Sequence, residues 1–86
     1  MSAAPDLMNL TFHDWEGARS AHLEAMPRSA TVGQAVAEAV RALELPFSSF
    51  YKALHDGREL NHGDTLDEIG LETDDDLDLV PEVSAG

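Results

Sequence analysis

One stretch of this chain spaces its apolar residues as a helix does, and it does so once. Val32, Ala35, Val36, Ala39, Val40 and Leu43 recur every three or four residues, which puts them on one stripe of a helix. Thr31 and Gln34 open the stretch in the pattern of a capping box, where each side chain satisfies the other residue's backbone N–H. The helix is expected to end before Pro46. A lone amphipathic helix cannot bury its own stripe, so another layer must cover it. The small Ala35 and Ala39 would let it lie close to a sheet.

The rest of the chain is patterned for that sheet. From Leu7 to His13 the residues alternate, with Met8, Leu10 and Phe12 on one side and Leu7, Asn9, Thr11 and His13 on the other, the period of a half-buried strand. Asp14-Trp15-Glu16-Gly17 predicts a hairpin turn. Ala18 to Met26 predicts a second strand with Ala21, Leu23 and Ala25 sharing a face, stopped by Pro27. Ser48 to Leu54 predicts a third strand, Asp56-Gly57 a turn, and Arg58 to Leu60 a short fourth strand. Thr65 to Ile69 predicts one helical turn capped by Asp64 or Thr65. Asp76 to Val80 predicts the last strand, with Leu77 and Leu79 on its core side. With a right-handed crossover the first and last strands sit side by side at the centre. The expectation is an α+β fold of the β-grasp kind: a mixed four- to five-stranded sheet on one main helix. It would span residues 7–80, with a disordered arm at 1–6 and a flexible tail at 81–86.

Composition narrows the function. A chain of 86 residues is expected to form one domain with a thin core, burying roughly 60–65% of its unfolded surface, which leaves no room for a deep two-lobed cleft. It carries 17 acidic and 5 basic residues, a net charge of −12. Phosphate backbones and anionic membranes repel such a surface, so neither nucleic acid nor membrane is an expected partner. A basic protein surface is the natural counterpart. The charge is uneven: from His55 to Gly86 there are 11 acids against Arg58 alone. That run is either a solvated face or a docking surface for a basic partner. The chain has no cysteine, which excludes disulfides, thiolate metal sites and cysteine nucleophiles. The opening residues lack the basic and apolar regions of a signal peptide, and no apolar run approaches the ~20 residues of a membrane span. A soluble, cytoplasmic, monomeric protein is expected. His13, His22, His55 and His62 lack zinc-like pairing. Asp74-Asp75-Asp76 lacks the glycine and closing glutamate of a calcium loop, and Ser48-Ser49 belongs to no recognisable triad. No metal, cofactor or catalytic residue is assigned. The protein is expected to be a substrate or partner of enzymes, not an enzyme.

On these residues the chain resembles ubiquitin. Asp56 to Gly86 can be laid without a gap on the family's second half, through Gly57, Leu60, Thr65-Leu66, Leu71, Leu77, Leu79, Val80 and a C-terminal glycine. The helix opens with Thr31-Val32 where ubiquitin's opens with Thr-Ile. Leu10, Phe12, Trp15 and Gly17 match the first hairpin, and the second strand needs about one extra residue. The resemblance covers roughly residues 7–86. It implies a protein modifier: an E1-like enzyme adenylates the Gly86 carboxylate, an E2-like enzyme carries it as a thioester, and an amine on a target receives it. A deconjugating metalloprotease of the JAB type completes the implied partner set. Glycine suits a narrow enzyme channel because it has no Cβ, and six residues after Val80 reach about 20 Å when extended.

The resemblance also implies a binding face at Trp15, Leu54 and Val80, with Asp78 where ubiquitin's patch has a histidine. Trp15 is the type of residue that dominates interfaces; the other reading folds it over the core edge. The tail departs from the family. Ala85-Gly86 replaces Gly-Gly, and Glu82 and Ser84 stand where basic residues would. Reversal of charge at Glu82 points to a dedicated partner set, as in a bacterium. Lys52 is the only lysine and so the only side-chain amine for chain building, since Arg58 stays protonated. The rival readings are a non-conjugated adaptor binding through Trp15, Leu54 and Val80, a sulfur carrier with a C-terminal thiocarboxylate, and an acidic decoy for a basic protein.

Overall fold

The computed structural model describes residues 7–45 and 50–82. The arm expected at 1–6, the start of the expected third strand and the tail from 83, Ala85 and Gly86 included, lie outside the described residues. Five strands and one helix follow in the order β1 (Leu7–His13), β2 (Ser20–Pro27), α1 (Val32–Ala42), β3 (Tyr51–His55), β4 (Arg58–Glu59) and β5 (Asp75–Pro81). They form a mixed sheet in the order β2-β1-β5-β3-β4. The first and last strands run parallel at its centre, with Phe12 opposite Leu77. The β-grasp arrangement expected from the pattern is the one observed.

Alternation built the core. Met8, Leu10 and Phe12 of β1 and Leu77 and Leu79 of β5 are buried, and α1 turns Val32, Ala35, Val36, Ala39 and Val40 onto them. Ala35 and Ala39 are wholly excluded from solvent, which lets the helix backbone approach the sheet. Leu60, Leu66 and Leu71 close the core beneath the strands.

The helix start is tied to the rest of the fold. The capping box forms: Gln34 N–H donates to Thr31 Oγ1 at 3.1 Å and Thr31 N–H to Gln34 Oε1 at 2.8 Å. Val32 and Gly33 N–H donate to the carbonyls of Asp64 and His62, at 2.9 and 3.0 Å. A helix start leaves its first N–H groups without partners in the ladder, and here a distant loop supplies them. A Cβ on Gly33 would lie 3.3 Å from the His62 carbonyl oxygen, so that glycine permits the close approach.

The second strand differs from the expectation. It runs from Ser20 to Pro27, and its register against β1 shifts between Met8 and Leu10. Leu10 faces Leu23, but Met8 faces Met26, so β2 carries one more residue than β1 across the same span. Ala25, expected beside Ala21 and Leu23, is exposed with φ +60°. Its N–H donates to Asn9 Oδ1 at 3.0 Å. A bulge has reset the alternation, and Met26 takes the place against the core.

A second box repeats the first at the turn after β4. Thr65 N–H donates to Glu68 Oε1 at 2.8 Å, and Glu68 N–H donates to Thr65 Oγ1 at 3.1 Å. Of the two caps expected, Thr65 is the one used. Its backbone N–H first, and its side chain second, hold the Glu68 carboxyl below the usual carboxylate range. At the end of β5, Pro81 pairs with Tyr51, and Glu82 N–H donates to the Phe50 carbonyl at 2.7 Å. Sheet pairing therefore reaches two residues past Val80.

Two outcomes follow from the packing. Truncation of the fully buried Phe12 to alanine removes the largest side chain at the β1–β5 seam. It should cost about 3–5 kcal/mol, read as a fall in the urea midpoint; a loss of only a few tenths would contradict the packing described. The depressed Glu68 carboxyl adds stability that is full above the unfolded-state pKa and lost as pH falls through the folded-state value. Glu68→Gln should therefore flatten the acid limb of the stability–pH curve, and an unchanged limb would contradict the cap.

Candidate docking site on the sheet

The face of the sheet away from α1 is set by the strand registers. On β5, Leu77 and Leu79 point to the core, so Asp76, Asp78 and Val80 point outward. On β3, Tyr51 and Ala53 are buried, so Lys52 and Leu54 point outward. The β3–β5 pairing sets Lys52 opposite Val80 and Leu54 opposite Asp78. Leu54 is also opposite Glu59 on β4, and Asp78 is opposite His13 on β1. One row thus crosses four strands as Glu59, Leu54, Asp78, His13, with neighbours about 4.8 Å apart. Val80 lies diagonal to Leu54, within side-chain reach across the pair. Leu54, Val80 and Lys52 are half-buried, whereas Asp78, Glu59 and Glu82 are exposed.

Trp15 belongs to the β1–β2 turn. Asp14, only 6% exposed, organises that turn: its Oδ1 accepts Ala18 N–H at 2.9 Å and its carbonyl accepts Gly17 N–H at 3.0 Å. Gly17 has φ +72°, a conformation glycine adopts without strain. The turn holds the Trp15 ring 6.1 Å from the Tyr51 ring, centroid to centroid, tilted by 31°. Tyr51 pairs with Pro81, so Trp15 stands at the end of the sheet where Val80 does. It is 44% exposed. One side of the ring packs on Tyr51 at the end of the core and the other meets solvent.

Charges on this face are mostly carboxylates. His13 Nε2 lies 3.1 Å from Asp76 Oδ1, and His22 Nδ1 lies 2.9 Å from Thr11 Oγ1. The two histidines of the first hairpin do not face each other: His22 is opposite Thr11 and His13 opposite Ser20. At the other end of β3, His55 Nε2 lies 3.5 Å from Asp75 Oδ2. Asp78, Glu59 and Glu82 make no ion pair among the described residues. No cluster of three or more metal-ligating side chains occurs among the described residues, and none of their helices is long and apolar enough to cross a membrane.

Of the expected site residues, Leu54, Asp78, Val80 and Lys52 share one face, Trp15 stands at its end, and Glu82 follows on the same strand. Ala85 and Gly86 lie outside the described residues. Sequence reasoning passed over Phe50, the most exposed large apolar residue described, at 77%. With Gly33, Val36, Ala37 and Val40 it lines a shallow groove between α1 and the start of β3. Phe50 stands one residue before β3, so the strand alternation that places Tyr51 and Ala53 gave no signal for it.

No protein-family model matches the chain, and no curated protein does so either. Solved structures do. The ubiquitin of Caldiarchaeum subterraneum superposes with a TM-score of 0.76 at 23% identity, over 93% of this chain and 99% of that one. The UBL domain of yeast Ddi1 gives 0.73 at 17% identity, over 99% and 100%. A protein designed de novo on ubiquitin gives 0.80 at 20% identity, over 95% and 96%. The chain has the ubiquitin-like fold.

The packing of Trp15 on Tyr51 can be measured. Trp15→Ala should lower stability by about 0.5–1.5 kcal/mol, the worth of one aromatic pair. A loss of the size expected for Phe12→Ala would place the ring in the core and remove it from the docking face.

Proposed function

We propose that this chain is a ubiquitin-like protein modifier, docked through its outer sheet face and conjugated through the Gly86 carboxylate. The observation that supports it most is the union of that face with the end of β5. Val80 lies inside the docking face. The sheet holds Pro81 and Glu82 beyond it, so the tail expected from 81 shortens to the four residues after Glu82, which can span about 13 Å. An enzyme seated on Leu54, Val80 and Trp15 therefore has the last residue within reach of its own active site.

The chemistry asks nothing catalytic of this chain. A carboxylate is a poor electrophile. An E1-like enzyme joins the Gly86 carboxylate oxygen to the α-phosphorus of ATP, and pyrophosphate leaves. An enzyme thiolate then attacks the acyl carbon, and AMP leaves. The thioester passes to the thiol of an E2-like enzyme. A target amine displaces that thiolate, loses a proton and becomes an amide, which a JAB-type protease would hydrolyse. The sulfur must come from the partners, because this chain has no cysteine. Glu82, exposed where the family carries a basic residue, favours a dedicated partner set of the bacterial kind. Lys52 lies in the docking face opposite Val80, so a partner seated there would cover the sole lysine. Single attachment is favoured over chains, and a cytoplasmic location fits the ATP-dependent route.

A second reading has support of its own: an adaptor that binds through the same face and is never conjugated. Trp15, Leu54 and Val80 serve it equally, and one neighbour in structure is a UBL domain. The two separate in one experiment. The protein is incubated with ATP and an extract of its source cells and resolved under denaturing conditions beside a variant lacking Gly86. ATP-dependent higher-mass species that vanish without Gly86 are expected. Identical patterns would end the modifier reading and leave the adaptor. A sulfur-for-oxygen exchange at the C-terminus, seen by intact mass, would replace both with a sulfur carrier.

A further inference from the structure

We infer that the docking face selects a partner whose apolar anchor is flanked on both sides by arginine or lysine. This deepens the proposed function and rests on its docking face. Leu54 sits between Glu59 on β4 and Asp78 on β5, each about one strand spacing away, near 4.8 Å. Both carboxylates are exposed, and neither has an ion-pair partner among the described residues. The next acid along the face, Asp76, is engaged by His13 at 3.1 Å, so Glu59 and Asp78 are the two left open beside Leu54, with Glu82 open beyond Val80.

A partner that covers Leu54 and Val80 must shed water from both carboxylates. Burying an ionised carboxylate without a partner is costly, so a neutral or acidic surface would lose on desolvation what it gained on apolar contact. A cation on each side of the anchor turns the same burial into charge-assisted hydrogen bonds. Arginine's planar fork suits the pairing best. The face is not uniformly acidic. Lys52, opposite Val80, lies one row from Asp78 and calls for an acceptor there, so the selected surface is patterned and not simply basic. The net charge of −12 speeds encounter with any cation; the row decides which of them stays.

The probe is a phage-displayed library of single helices randomised on one face, selected on the intact protein, with winning clones made as synthetic peptides. Winners should carry an apolar anchor between basic residues. Their affinity should fall roughly tenfold or more with Asp78→Lys or Glu59→Lys, the scale of one lost charge pair. Asp78→Asn serves as a milder variant, and thermal melts check that each variant folds. Asp67→Lys makes the same change in net charge at an exposed residue of the turn after β4 and should leave affinity within about twofold, below the worth of a lost pair. Equal losses with Asp67→Lys would reduce the effect to net charge and overturn the inference. So would winners that need Leu54 but lack basic flanks or ignore Asp78 and Glu59; that result would leave the docking face standing. Winners indifferent to Leu54→Ser would remove the docking face, and the inference with it.

Discussion

The parallel pairing of β1 with β5 is the constraint on which the rest depends. It brings the two ends of the chain together at the middle of the sheet, where Leu10, Phe12, Leu77 and Leu79 are almost wholly excluded from water. Parallel neighbours need a long crossover between them, and everything from Ser20 to Asp74 serves as that crossover. The hairpin, the helix and the β3–β4 pair are packed around one seam. The outer face is its by-product: once Leu77 and Leu79 face the helix, Asp78 and Val80 must face solvent.

The loop from Leu60 to Leu71 has a second structural office. Its carbonyls at His62 and Asp64 accept the first N–H groups of α1, and Leu66 N–H returns a bond to the Ala30 carbonyl at 2.9 Å. Leu66 and Leu71 are buried in the same core. These bonds and buried leucines attach the irregular segment after β4 to the helix start and the core. At its head, Leu60 N–H donates to the Ala53 carbonyl at 2.9 Å, continuing the pairing that sets Glu59 opposite Leu54.

Function on this fold is a matter of surface. The fold alone supports many uses, so the distinguishing information lies in the side chains it turns outward. Three features single this chain out: Trp15 braced on Tyr51, carboxylates on both sides of Leu54 with no ion pair among the described residues, and an exposed Phe50 in a groove against the helix. The first stands at the end of the sheet beside Val80 and the second lies on its outer face. The third lies where the helix meets the start of β3 and enlarges the apolar surface without a charge pattern of its own.

Much of the architecture was legible in the residues. The capping box at Thr31, the stripe to Leu43, the Asp56-Gly57 turn and the alternation of β1 and β5 each encode local structure, because helix and strand periods depend on near neighbours. Asp56 and Gly57 indeed both adopt positive φ, +55° and +80°. The β2 bulge was not legible, because nothing local announces that Ala25 turns into the left-handed region and is held there by Asn9, sixteen residues away. Nor was the division of Trp15 between core and solvent, which depends on where Tyr51 arrives from the far side of the helix. Local pattern alone settles the element types, the core side of β1, α1 and β5, and the acidic balance. Which outward side chains became neighbours, and which residue of β2 turned inward beyond the bulge, was set by packing across the whole sheet. Register between distant strands arises from the packing of the whole core, and a shift of one residue would have turned Leu54, Asp78 and Val80 to the other side.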